Sequence, residues 1–216
     1  FSVEDMTAHF SWERISLGGP VFDMKRLRFF NAKYLREFLR LEDLAERVKP
    51  HLEAAGIAWD DDDYLLDVLD ITKNRVEMLA EFPRVVAYFF KEDFSFEEDA
   101  KKRLASGQKY LEDLELEFAR LESYDEDSID EMLHDYVQSQ SVGMGKVLQP
   151  LRAALTGTLQ APGITELVSV LGRDRVLRRV GRALAAITAG LPDDRPVKND
   201  KNDKKEDKKE DERGAA

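Results

Sequence analysis

Apolar residues recur along this chain at spacings of three and four, the period of one face of an α-helix, and no alternating run is long enough to suggest a strand. The expected class is all-α. After a short helix over 3–10, the break Gly18-Gly19-Pro20 precedes a helix that Asp23 caps, with Leu27, Phe30, Tyr34, Leu35 and Phe38 on one side. Leu41, Leu44, Ala45, Val48 and Leu52 predict the next helix, closed by Gly56. The acids Asp60 to Asp63 then open a helix through Val68, Leu69 and Ile71 that brings Lys73 and Arg75 to its later turns. Pro83 stands near the start of the apolar segment 85–90. A capping-box spacing at Ser95 to Glu98 predicts one long helix with Ala100, Leu104, Leu111, Leu114, Phe118 and Leu121 inward. The same signal at Ser128 to Glu131 predicts another on Ile129, Met132, Leu133, Tyr136 and Val137. Two more close the pattern: one on Ile164, Leu167, Val168 and Leu171 ending at Gly172, and one on Val176, Leu177, Val180, Leu184 and Ile187 ending at Gly190.

Ahead of that last pair lies the stretch that organises the second half, GMGKVLQPLRAALTGTLQAPGI, residues 143–164. Val147, Leu148, Leu151, Ala154 and Leu155 make an apolar face, and Lys146 and Arg152 lie on the polar side. Gly157 ends this helix before the Ala161-Pro162-Gly163 turn. Two readings fit these residues. A stiff turn beside a guanidinium fork can grip something planar and polar. The same glycines also serve as a C-cap and a hairpin turn with no ligand at all.

With 216 residues the chain is long enough for one large domain or two small ones. Its 36% of charged residues suits well-solvated helices, and its net charge of -11 argues against nonspecific attachment to nucleic acid. The average conceals an asymmetry: residues 91–135 hold sixteen acids against six bases, whereas 140–190 hold seven bases against two acids. That basic segment reads either as a local polyanion contact or as a solvated arginine-rich face. Residues 193–216 are almost wholly Lys, Asp, Glu and Asn and cannot bury apolar area to offset their ordering entropy, so a disordered tail is expected.

No apolar run approaches the roughly 20 residues of a membrane span. Glu4 and Asp5 stand where a secretory signal has its basic region, so neither membrane span nor signal is expected. Cysteine is absent, which excludes disulfides and thiolate metal sites, and His9, His51 and His134 lack ligand spacing, so no metal site is expected. The four acids at 60–63 suit a helix N-terminus better than a cation. No phosphate-binding glycine loop, nucleophile elbow or His-Glu-x-x-His pattern occurs, and no residue is marked as catalytic. The chain starts at Phe1 and not at Met, which argues for a piece of a longer protein or a processed product. Read from its residues alone, it binds and does not catalyse.

Three blocks together resemble a known family. Residues 142–184, VGMGKVLQPLRAALTGTLQAPGITELVSVLGRDRVLRRVGRAL, are similar to the C-terminal anticodon-binding region of bacterial-type glutamyl-tRNA synthetases, which are class I enzymes. WERISLGGPVFDMKRLRFFNAKYLRE, residues 12–37, resembles the segment that follows their catalytic domain, and LAEFPRVVAYFF, residues 79–90, is a third match. The resemblance implies the end of a stem-contact domain over 1–39, two consecutive helical-bundle anticodon-binding subdomains over 40–88 and 89–190, and a charged tail over 191–216. It also implies that the family's ATP-binding motifs, of the His-Ile-Gly-His and Lys-Met-Ser-Lys-Ser types, lie upstream. This piece would then bind no cofactor and be inactive alone, ATP and Mg2+ serving the missing catalytic domain.

By the same resemblance, Arg152 matches an arginine that contacts the anticodon. Pro162 and Ile164 match the turn that frames its first and second bases. Arg75 matches the position facing the third base, where arginine accompanies selectivity for glutamate tRNA over glutamine tRNA. Ala161 stands where relatives often have Thr or Ser, which leaves backbone contacts only, and Phe29 stands where they tend to have Trp. Lys146, Arg173, Arg178 and Arg182 would neutralise the RNA backbone and make binding salt-dependent. The expected partner is the tRNA for glutamate, with no DNA and no membrane, for a cytoplasmic monomer serving translation. A helical protein-interaction or scaffold module without RNA binding is the alternative that the same helices allow.

Overall fold

A computed structural model describes residues 2–191 apart from 16, 17 and 20, so Pro20 of the expected break and the charged tail beyond Leu191 lie outside the described residues. Among the described residues there are ten α-helices and no strand: α1 (Val3–His9), α2 (Met24–Lys33), α3 (Leu41–Ala54), α4 (Asp62–Thr72), α5 (Phe82–Phe90), α6 (Glu98–Ser106), α7 (Gln108–Arg120), α8 (Glu126–Ser139), α9 (Met144–Thr156) and α10 (Ile164–Thr188). One π-helical turn, Tyr34–Phe38, prolongs α2, and 3-10 turns at Lys73–Arg75 and Leu79–Glu81 join α4 to α5.

Local chemistry sets most of these boundaries. Asp23 accepts from the N–H groups of Lys25 and Arg26 at 2.9 and 3.1 Å, and Asp61 does the same for Asp63 and Tyr64 at 2.9 and 3.1 Å. Of the acids at 60–63, Asp61 is thus the cap and Asp62 and Asp63 form the first turn, and among the described residues no cluster of metal-ligating side chains forms. Gly157 closes α9 in the left-handed region with φ 75°, and α10 breaks at Gly172, φ 74° and ψ 162°, as the apolar spacing predicts.

Four expectations need correction. Ser95 caps nothing: α6 begins behind Glu97, whose N–H donates to the Gly157 carbonyl at 2.8 Å, a long-range tie that replaces the local box. The single long helix breaks at Gly107, where the ring of Pro150 from α9 packs so close that a Cβ would overlap it. Helix α8 begins one turn ahead of Ile129, because the Asp125 carboxylate, not Ser128, takes the cap and accepts the Ser128 N–H at 2.8 Å. The apolar side of α2 is not a core face: Phe30, Tyr34 and Phe38 are 55%, 54% and 65% exposed, and Leu35 alone of that stripe is buried.

The hydrophobic core is one cluster, running from Leu35 to Ala183 and continuous across position 88. Its centre holds Phe82, Val86 and Phe89 of α5, Leu111, Leu114 and Phe118 of α7, and Leu151 and Leu155 of α9. Burying each such side chain contributes about 1.5–3 kcal/mol. Helix α10 packs on α7, α8 and α9 and also reaches α4, so it spans both halves of the core. No described helix is long and apolar enough to cross a membrane.

Candidate nucleic-acid interface

Arg75 is carried by a turn held from several directions. Helix α4 ends at Thr72, whose hydroxyl donates back to the Val68 carbonyl at 2.6 Å, and the chain tightens through Lys73–Arg75 before Val76 enters the core. Arg36, on the π turn, donates to the Val76 carbonyl at 3.3 Å, Asn31 donates to the Glu77 carbonyl, and Arg28 faces Glu77 and Glu81 at 3.8 and 4.0 Å. Lys73 pairs with Asp70 at 2.6 Å, whereas Arg75 is exposed. The residues after Arg75 are thus braced by α2 and its π turn.

Arg152 projects from α9, half-buried, with its carbonyl accepting the Thr156 hydroxyl at 2.9 Å. Its Nε is buried without a hydrogen-bond partner, as is the Gln149 carbonyl oxygen three residues earlier. Among the described residues, neither Arg75 nor Arg152 is paired with a carboxylate. The charges of Arg75 and Arg152 both reach the Tyr88 phenol of α5. Burial lowers the proton affinity of Arg152, and the neighbouring charge of Arg75 lowers it further. Burial raises the Tyr88 phenol above its ordinary value, opposed by the charges of Arg75, Arg152 and Arg179. Two like charges near each other without a counter-ion are unfavourable in the free protein.

The turn after α9 is rigid. The Thr158 hydroxyl donates to Glu97 at 2.8 Å and accepts the Gln160 N–H at 3.2 Å, so the loop is tied to the segment that leads into α6. Ala161 is 0% and Ile164 7% exposed, Pro162 is buried as well, and Gly163 is the open member of the turn. The backbone contact expected at Ala161 is therefore closed in this conformation, and Gly163, named in the turn but not among the expected base contacts, presents the accessible backbone. Ile164, Met144 and Leu148 line a crevice of about 70 Å³ with Asp130 and His134 among its walls.

The other basic residues of α9 and α10 divide into open and committed. Lys146 is exposed at the start of α9. Arg178 stays 58% exposed and lies 3.2 Å from Glu92. Arg173 donates to the Leu121 carbonyl and to that of Glu122 at 3.4 Å, and lies over the Tyr124 ring at 5.3 Å. Arg182 donates to the carbonyls of Glu92 and Phe94 and stacks on Phe94 at 4.1 Å. Arg173 and Arg182 thus spend part of their donors on loop carbonyls.

Arg179, absent from the expected set, is the largest fully buried side chain, 1% exposed. It donates to the Leu155 carbonyl at 2.7 Å and the Tyr88 carbonyl at 2.6 Å. One signal could have found it: Val176, Arg179, Val180 and Ala183 follow the i, i+3, i+4, i+7 spacing of a buried stripe.

A helical scaffold that leaves two guanidinium groups unpaired with carboxylates defines a class: an all-α domain with open cationic side chains beside a hydrogen-bonded turn. Comparison with known proteins makes this specific. The anticodon binding domain family matches residues 43–184, and the chain belongs to that family. Glutamate--tRNA ligase of Thermus thermophilus is 43% identical over 185 residues, which are 86% of this chain and 40% of that protein. The ligase of Deinococcus radiodurans is 37% identical over 188 residues, 85% of this chain and 39% of that protein. A crystal structure of a glutamate tRNA ligase from Elizabethkingia meningosepticum, in complex with its amino acid, shares the fold with a TM-score of 0.76 at 24% identity, covering 87% of this chain and 37% of that one. The chain thus spans about 40% of the length of the curated relatives it matches.

Proposed function

We propose that this chain is the anticodon-reading part of a glutamate–tRNA ligase, the enzyme that joins glutamate to its tRNA at the expense of ATP, and that it serves translation as a cytoplasmic monomer. One observation carries the reading: Arg75 and Arg152, from different halves of the chain, are not paired with a carboxylate among the described residues, and their charges act on the same Tyr88 phenol. RNA sequence is read where bases are unstacked, by hydrogen bonds to their edges and by stacking, and an anticodon loop supplies such bases. A guanidinium offers fixed donors and a flat face, and half-buried Arg152 keeps part of its side chain open to a base edge. Arg152 and the turn 161–164, whose open member is Gly163, take the first two bases. Arg75 takes the third and favours glutamate tRNA over glutamine tRNA. Lys146 and Arg178 meet phosphates, which makes affinity fall with salt. ATP and Mg2+ would serve the catalytic part of such an enzyme and not these helices.

The test is filter binding of a glutamate tRNA transcript against a copy with its anticodon replaced. The chain should prefer the first, and Arg152→Ala should weaken that binding by on the order of 1–3 kcal/mol. In the full-length enzyme, Arg75→Gln should narrow the difference in charging between glutamate and glutamine tRNAs. Equal binding of both transcripts, with neither substitution altering it, would refute the reading and leave the helical scaffold in its place.

A further inference from the structure

Resting on that reading, we propose that Arg179 is a positioning residue for anticodon recognition: one buried guanidinium that fixes the helix carrying Arg152 against the helix carrying Tyr88, and so sets the spacing of the two reading arginines. The last four carbonyls of an α-helix have no partner within it. Tyr88 lies in the last turn of α5 and Leu155 in the last turn of α9, and Arg179 donates to both, Nη2 to Tyr88 at 2.6 Å and Nη1 to Leu155 at 2.7 Å. A cation there also faces the negative ends of two helix dipoles at once, which compensates the burial of its charge. Glu92 lies 3.8 Å from its Nε, and the Phe94 ring lies 5.1 Å from its Cζ.

The planar fork matters as much as the charge. Two acceptors on different helices are held by one rigid group, so the two helix ends cannot slide independently. Leu155 follows Arg152 by three residues on the same helix, and the turn that carries Arg75 leads through Leu79–Glu81 into α5, whose end Arg179 holds. Arg179 touches no ligand itself. Arg182, one turn further on, grips only the linker carbonyls of Glu92 and Phe94 and serves as the control.

The experiment compares the full chain with Arg179→Lys and Arg182→Lys, by binding of glutamate tRNA and of the anticodon-replaced transcript across a salt series. Lysine keeps a charge but cannot bridge two carbonyls in one plane. Arg179→Lys should lose roughly tenfold of the preference between the two transcripts, because displacements on the order of 1 Å degrade such geometry. Binding of the anticodon-replaced RNA and the salt slope should stay as in the wild type, and Arg182→Lys should keep the preference. In an Arg152→Ala background, Arg179→Lys should cost nothing further, since its reader is gone. A preference unchanged in folded Arg179→Lys, equal losses on both transcripts, or equal loss in Arg182→Lys overturns the proposal. Should Arg179→Lys not fold, Glu92→Gln and Arg178→Gln are compared: a loss of preference in the first but not the second supports the proposal, and no loss in the first or equal loss in both overturns it. If the wild type shows no preference at all, the functional reading fails first, and the two failures stay distinct.

Discussion

Replacing Arg152 with methionine should make the free protein more stable and a poorer RNA binder. The Nε of Arg152 is buried with no acceptor, and a buried, unpaired donor costs about 1–3 kcal/mol. Its terminal nitrogens are still half in reach of water, which places the gain from removing it near the low end, about 1 kcal/mol. Methionine keeps most of the apolar stem and adapts to irregular gaps, so little packing is lost. It also relieves the like charge of Arg75. Arg179→Met should do the opposite, because two helix-end carbonyls lose charged donors at 2.6 and 2.7 Å. Two orphaned buried acceptors cost about 2–6 kcal/mol before the relief of removing a buried charge. Urea denaturation followed by helical signal reads both, provided the slopes match so that midpoints report stability. A residue kept for binding is dispensable to the fold, and a strut is not. If Arg152→Met destabilises as much as Arg179→Met, Arg152 is a strut and the site built on it is wrong.

Two further outcomes test the scaffold. Gly157→Ala places a Cβ on a residue at φ 75° and into the Ser95 carbonyl, so it should destabilise by more than the ~1–2 kcal/mol of a left-handed alanine, measured by the same titration. The Asp125 carboxyl is held at about 2 by the Ser123 hydroxyl and the Ser128 N–H, below its ordinary 3.8. A depressed folded value means that its stabilisation is complete above the unfolded value and is lost as pH falls towards about 2. Any stability difference between wild type and Asp125→Asn at neutral pH should therefore shrink across that acidic window, and a difference independent of pH would refute the cap assignment.

The helices were legible because burial on one face writes a period into the sequence. Gly157, Gly172 and Asp61 were legible for a related reason: a left-handed residue, a break and an N-cap each demand a particular side chain where they stand. The signals failed where a distant partner outweighed a local one. Glu97 gives its N–H to Gly157 instead of joining a capping box, and Gly107 breaks a helix to admit Pro150. The aromatic side of α2 has the spacing of a core stripe and lies in solvent, since periodicity records a face without recording what covers it.

Charge shows the same division. The sequence by itself determined the class, the run of helices, the basic segment around α9 and α10, and, through its resemblance, the residues to inspect. Only the tertiary structure decided which guanidinium groups are open. Arg152, Arg173, Arg179 and Arg182 are one letter in the sequence. Folding gives Arg173 and Arg182 to loop carbonyls and buries Arg179 between two helix ends, while it leaves Arg152 beside Arg75 with a donor unused. The physical reason is that a donor's availability depends on which carbonyls the packed helices leave orphaned within about 3 Å of it, and that distance is set by contacts far apart along the chain.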